Sequence, residues 1–67
     1  MSRYYFIVLA PDHTHNDRYG LRLLSHEAAR DYGQRVVREL ADGGYHPSGA
    51  VLHVQDETGQ TIHSIPF

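Results

Sequence analysis

The 67-residue sequence contains no cysteine and no tryptophan, and its six cations are all arginine, with lysine absent. Without cysteine, disulfides and thiolate-bound zinc or iron–sulfur centres are excluded. No apolar run approaches the ~18 residues of a membrane-spanning helix. The opening Met1-Ser2-Arg3-Tyr4-Tyr5-Phe6 passes straight into strand-like sequence with no secretory cleavage pattern. A soluble, cytoplasmic protein with no membrane partner is therefore expected. An excess of positive charge is also missing. Eight carboxylates against six arginines leave a net charge of −2 with histidine neutral, which weighs against general nucleic-acid binding. Length is the last shortage. One domain, residues 1–67, fits this chain, and a chain so short buries only ~60% of its unfolded surface. Scaffolds below roughly 70–80 residues usually rely on a disulfide, a metal or a partner chain. A helix–sheet core, a histidine-bound metal or self-association must take that part here.

What the sequence does contain suits a folded domain, with 40% hydrophobic and 21% charged residues. Tyr4 to Leu9 is an unbroken aromatic and β-branched run that reads as a strand. Ala10 to Gly20 is rich in turn formers and reads as an irregular, mobile stretch. Tyr19 to Leu24 can add a short second strand. Ser25 is a favoured helix N-cap with Glu27 in the first turn. From there Ala29, Gly33, Val36 and Leu40 fall on one line, flanked by Tyr32, Val37 and Ala41, with charged residues opposite. Gly33 costs a helix interior ~1 kcal/mol, so the helix backbone is expected to approach the sheet closely there, against a large aromatic such as Phe6. Gly43-Gly44 ends the helix. After a connector containing His46-Pro47, the segments Ala50–Gln55 and Gln60–Phe67 read as strands joined by Asp56-Glu57-Thr58-Gly59, a type I turn with a glycine bulge. Strict alternation from that turn pairs Gln55 with Thr61, Val54 with Ile62, His53 with His63 and Val51 with Ile65. The expectation is an α+β fold, β-(β)-α-β-β: a small antiparallel sheet of three to four strands with one helix on one face. The last strand is expected between the first strand and the strand beginning at Ala50, as in a split β-α-β unit.

These motifs also occur together elsewhere. Arg3-Tyr4-Tyr5-Phe6, Glu27-Ala28-Ala29-Arg30, Val54-Gln55-Asp56-Glu57-Thr58-Gly59 and Ile65-Pro66-Phe67 resemble, in order and spacing, a family of short bacterial proteins classed as a domain of unknown function. The resemblance covers almost the whole chain and supports the fold. Ile7 stands where that family often has histidine. The resemblance implies no activity, cofactor or catalytic residue.

Enzymatic chemistry finds little support. No serine lies in a nucleophile elbow, no glycine-rich loop precedes a helix, and the carboxylates are dispersed. The protein is expected not to be an enzyme and to carry no cofactor. Two histidine clusters have metal-ligating residue types. His53 and His63, if paired across two strands, would lie close enough to share a zinc or nickel ion. Asp12-His13-Thr14-His15-Asn16-Asp17 spaces two histidines so that both rings fall on one side of an extended segment, where they could hold a divalent metal. Arg3, Arg18 and Arg22 with Tyr19, near Tyr5, could form a basic–aromatic surface for nucleic acid. The strongest expectation concerns the sheet face without a helix. The first strand is apolar at both parities, so one helix cannot cover it. Tyr5, Ile7, Leu9, Val51, His53, His63, Ile65 and Phe67 are expected to form an apolar patch there, and such patches mark interaction surfaces. The sequence therefore reads as a small protein-interaction module, self-associating as a homodimer through that face and acting as an adaptor, regulator or inhibitor of a partner protein.

Overall fold

The computed structural model describes residues 1–45 and 48–67. The elements in chain order are β1 (Ser2–Leu9), β2 (Thr14–His15), β3 (Leu21–Leu23), α1 (His26–Asp42), β4 (Val51–Gln55) and β5 (Thr61–Pro66). This is the expected α+β class, with five strands in one antiparallel sheet and α1 on one face. The addition is β2, a two-residue strand inside the stretch that the sequence reads as irregular. His46 and Pro47, placed by the sequence in the connector, lie outside the described residues.

The sheet order differs from the expectation. β2 and β3 share one side of β1, β4 lies on its other side, and β5 is the edge beyond β4. The reason is β3, which reverses the chain before the helix. The crossover through α1 therefore joins β3 to β4, which run in the same direction, and β1 fills the slot between them. A split β-α-β unit is present, with β1 rather than the last strand as its filler.

Between β2 and β3, the outer edge of β1 has no strand opposite Phe6. One carboxylate takes the place of that strand. Asp17 Oδ2 accepts the Phe6 N–H at 3.2 Å, and Oδ1 accepts those of Tyr19 and Gly20 at 3.1 and 3.0 Å. Backbone donors at a sheet edge need such partners once they are partly shielded from water. Gly20 then turns the chain into β3 with φ +67°. A Cβ there would sit 2.7 Å from the Tyr4 carbonyl oxygen and 2.8 Å from Arg3 Cγ, so glycine is required twice over.

The helix begins and ends as its sequence signals indicate. Ser25 is extended, and its Oγ accepts the Ala28 N–H at 3.1 Å. At the other end, Gly44 adopts φ +96°. Tyr45 N–H reaches Leu40 O at 2.9 Å and Gly44 N–H reaches Ala41 O at 3.0 Å, the paired bonds of a Schellman stop. Ala29 and Gly33 are the buried helix positions. They press onto β4, whose Leu52 and Val54 are fully buried. Tyr4, Ala29 and Val54 form the core centre, with Phe6, Leu23, Ile62 and Ile65 packed around it. The close approach at Gly33 is real, but its partners are aliphatic. A Cβ there would lie 2.9 Å from Ile65 Cδ1, 3.2 Å from Val54 Cγ2 and 3.3 Å from Leu52 Cδ2. Phe6 packs instead on the Tyr32 ring, with centroids 5.0 Å apart.

The β4–β5 hairpin starts in the expected register and then leaves it. Asp56 N–H donates to Gln60 O at 2.9 Å, Gly59 N–H to Asp56 O at 3.1 Å, and Gln55 pairs with Thr61. Val54, however, pairs with His63, not Ile62, so Ile62 is an extra residue in β5. Beyond it Leu52 opposes Ile65, and His53 opposes Ser64. The bulge has a packing reason. Ile62 and Ile65 are three residues apart and cannot share a face under strict alternation, yet both pack against the core.

Asp56 closes this turn. Its Oδ1 accepts the Thr58 hydroxyl at 2.6 Å and the N–H groups of Thr58 and Gln60 at 2.9 and 3.1 Å. Chiefly through the Thr58 hydroxyl, these bonds hold the carboxyl below the ordinary aspartate value of 3.8, against a partial desolvation that acts the other way. A depressed folded-state value stabilises the fold above pH 3.8, and the contribution disappears as pH falls below it. The urea midpoints of wild type and Asp56→Ala should therefore differ at pH 6 and converge as pH is lowered through the range beneath 3.8. A gap that stays constant down to pH 2 would remove the carboxylate from this account.

Candidate functional site

The side chains of Tyr4, Phe6 and Val8 face α1, so the odd positions of β1 lie on the opposite face, where no other element of the described structure packs. There Tyr5, Ile7 and Leu9 form a row along the second strand of the layer. Val51 lies opposite Leu9, His53 opposite Ile7 and Gln55 opposite Tyr5. All six are half-buried, shielded by one another within the sheet. The rim is polar: Thr14 on β2, Thr61 and Ser64 on β5, and the two arginines Arg3 and Arg22 at one end.

Five of the eight expected patch residues are thus together: Tyr5, Ile7, Leu9, Val51 and His53. The bulge at Ile62 turns the remaining three to the helix side. Ile65 lies under Gly33. Phe67 stacks edge-on against Tyr45, with centroids 5.6 Å apart. His63 donates from Nε2 to the His26 carbonyl at 3.2 Å. His53 and His63 consequently lie on opposite faces and are not a pair, and the shared metal ion expected for them has no geometric basis. The signal that could have exposed this is the spacing of Ile62 and Ile65.

The loop histidines, by contrast, are brought together. His13 Nε2 lies 3.0 Å from His15 Nε2, with the rings perpendicular at 87°. Asp12 Oδ1 accepts from His13 Nδ1 at 2.7 Å. That hydrogen bond is the main cause of an Asp12 carboxyl held below the ordinary aspartate value. Among the described residues, no three or more His, Asp or Glu side chains converge so that they could hold a metal ion between them.

The arginines also converge in part. Arg3 and Arg22 are cross-strand partners in β1 and β3, and the Arg3 guanidinium donates to the Tyr19 carbonyl at 2.6 Å. The Tyr19 ring is 81% exposed, and Arg18 beside it is also exposed. Two shallow grooves flank the helix. One, of about 510 Å³, is lined by Leu23, Asp31, Tyr32, Arg35 and Arg38 among others, and Arg35 lies over the Tyr32 ring at 5.3 Å. The other, of about 380 Å³, is apolar and lined by Val8, His15, Leu40 and Tyr45. Asp17, which the sequence places at the end of the candidate metal loop, instead binds the backbone N–H groups of Phe6, Tyr19 and Gly20 and has a structural part. No helix among the described residues is long and apolar enough to cross a membrane.

Comparison with known proteins adds a family and nothing more specific. No curated protein and no solved structure matches the chain. A family model does match, across residues 3–67, and its span takes in every element from β1 to β5 together with the Arg3 start and the Phe67 end that the sequence motifs single out. The chain belongs to the family described as Domain of unknown function (DUF6894).

Proposed function

We propose that this protein is a small non-catalytic interaction module that self-associates through the helix-free face of its sheet. The observation that supports the reading is the row Tyr5, Ile7 and Leu9 with Val51 alongside, an apolar strip that no element among the described residues covers. Such a strip is self-complementary. Two sheets pack face to face at ~10 Å with their apolar rows interdigitated, and a two-fold axis through Ile7 would set each strip on its copy. Charge favours the same arrangement. The strip itself carries no carboxylate, and its two arginines sit at one end, where Glu57 Oε1 accepts the Arg3 N–H at 3.2 Å, so an antiparallel pairing places the Arg3–Arg22 ends far apart. The dimer also supplies the second layer that so short a chain cannot provide for itself. Sedimentation equilibrium at micromolar concentration should give twice the 7.6 kDa chain mass. A chain that remains at 7.6 kDa up to millimolar concentration would rule out self-association.

A second reading rests on Arg3 and Arg22. Like charges directly opposed across two strands are unfavourable, and a phosphate between them would relieve the repulsion. With Arg18 and the exposed Tyr19 ring alongside, this is a surface for single-stranded nucleic acid. Binding of oligo(dT) should weaken steeply with salt, with a log–log slope of about −2 for three phosphate contacts on a single strand. Absence of binding at 20 mM salt would eliminate it.

A further inference from the structure

We propose that His13 and His15 form a two-imidazole chelate for a divalent transition-metal ion of the Cu2+ or Ni2+ type, with Asp12 as the carboxylate that orients it. The backbone supplies the first requirement. Leu9 pairs with Thr14, and Ala10 N–H donates to His13 O at 2.9 Å, so Pro11-Asp12 is a two-residue loop and His13 is held at its closure. His15 follows in β2, pinned opposite Val8. Residues i and i+2 of such a segment project to one side, and the two rings meet there rather than diverging.

The second requirement is the right nitrogen with its lone pair free. Asp12 Oδ1 accepts a 2.7 Å hydrogen bond from His13 Nδ1–H. His13 Nε2 is therefore the unprotonated, acceptor nitrogen, and in the metal-free protein His15 Nε2–H donates to it across 3.0 Å. A cation replaces that single shared proton. The proton of His15 moves to its own Nδ1 through solvent, and both Nε2 lone pairs become available with no net change in protonation. A carboxylate hydrogen-bonded to the far nitrogen of a ligating histidine is the usual support of such ligands and raises their basicity.

The donor type sets the metal class, and the separation is compatible with it. With metal–nitrogen bonds of ~2.0–2.1 Å, two imidazoles at a tetrahedral angle have nitrogens ~3.3–3.4 Å apart, whereas cis positions of a square-planar or octahedral ion place them ~2.8–3.0 Å apart. The hydrogen-bonded 3.0 Å separation can be kept in the second case and must open by a few tenths of an ångström in the first. Imidazole nitrogen and tetragonal geometry suit Cu2+ and Ni2+, and the Irving–Williams order puts Cu2+ first. Access is open, since the His13 side chain is 42% exposed and Asp12 84%, so water completes the coordination shell. The site lies at the far end of β1 from Arg3 and Arg22 and does not depend on the open-face dimer.

The test titrates the intact protein with Cu2+ at neutral pH, and with Ni2+ and Zn2+ in parallel, by calorimetry and by paramagnetic broadening in a 1H–15N spectrum. The expected result is one ion per chain, binding in the order Cu2+, Ni2+, Zn2+, with broadening centred on Ala10 to His15 and falling off through Val8, Leu9, Leu40 and Tyr45. His13→Ala and His15→Ala should each weaken Cu2+ at least tenfold, and Asp12→Ala about tenfold or more. His53→Ala and His63→Ala should leave it unchanged. The spectra of the apo variants show directly whether they remain folded. Undiminished affinity in His13→Ala or His15→Ala, broadening centred on His26, His53, His63 or the Met1 amine, or a preference for Zn2+ would each overturn the proposal.

Discussion

Replacing Gly33 with leucine should cost the protein at least about a third of its stability. At an exposed helix site the same change would gain ~1 kcal/mol of helix propensity. Here the first added atom already meets Ile65, Val54 and Leu52 at 2.9, 3.2 and 3.3 Å. Leu52 and Val54 are fully buried on β4, held between β1 and β5, and have no room to retreat. Overpacking by a few methylenes costs ~1–3 kcal/mol and sometimes more, and leucine adds four carbons. The net loss should be about 3 kcal/mol, against a total of roughly 3–10 kcal/mol for a chain of this size. In a 60–100-residue domain that corresponds to a fall in Tm of about 12–24 °C. Gly33→Ala separates the contributions. Its added carbon collides chiefly with Ile65 Cδ1, an atom that Ile65→Val deletes. The double variant Gly33→Ala/Ile65→Val should therefore be more stable than the sum of the two single effects, with a coupling of at least ~0.5 kcal/mol. A Gly33→Leu protein with a raised urea midpoint would show that the helix does not press on β4 at this point.

Ile7→Asp should abolish the proposed self-association while leaving the monomer folded. Ile7 lies at the middle of the open-face strip, opposite His53, and touches nothing under the helix. A carboxylate there is hydrated in the monomer. In the proposed face-to-face dimer it is buried with only the His53 imidazole opposite it, and two-fold symmetry buries two of them. At ~2 kcal/mol for each incompletely paired charge, the two cost about 4 kcal/mol, so Kd should rise by about a thousandfold. Sedimentation reads the loss of mass, and far-ultraviolet circular dichroism reads the retained helix. Ile65→Asp provides the contrast. Strict alternation puts Ile65 on the same face as Ile7, but the structure puts it beneath Gly33. Ile65→Asp should therefore unfold the chain rather than merely separate two copies. An Ile7→Asp protein with the mass of wild type would move the interface elsewhere, and a folded, monomeric Ile65→Asp would contradict the register of β5.

These two isoleucines also mark how far the sequence can be read. Local chemistry was legible because its causes are local. Ser25 caps the helix, Gly43-Gly44 stops it, and Asp56-Glu57-Thr58-Gly59 turns the hairpin with Gln55 opposite Thr61, each by hydrogen bonds within a few residues. The even residues of β1 face the helix and its odd residues lie outside, as alternation requires. Reading failed where one residue changed everything beyond it. The extra Ile62 moves His63, Ile65 and Phe67 from the open face to the helix side, because a one-residue shift in a strand reverses every side chain. It likewise separates His53 from His63. The histidines that do meet, His13 and His15, are two residues apart and carry the signal in their spacing, while the ring contact and the Asp12 hydrogen bond needed the hairpin closed at Ala10 and His13.

By itself, then, the sequence determined the helix and its limits, every strand but β2, the class of the fold and the presence of more apolar strand surface than one helix covers. Those properties follow from propensity, capping and periodicity, which act over a few residues. The order of the strands, the bulge at Ile62, the Asp17 carboxylate in the edge of β1 and the pressure of Gly33 on β4 were decided only in the tertiary structure. Each depends on groups far apart in the chain competing for one place: β1 for the slot between β3 and β4, two isoleucines for one core, and one helix backbone for contact with Leu52 and Val54. The energies of that competition are set by close packing and by the satisfaction of backbone donors, and neither is encoded in any short run of residues.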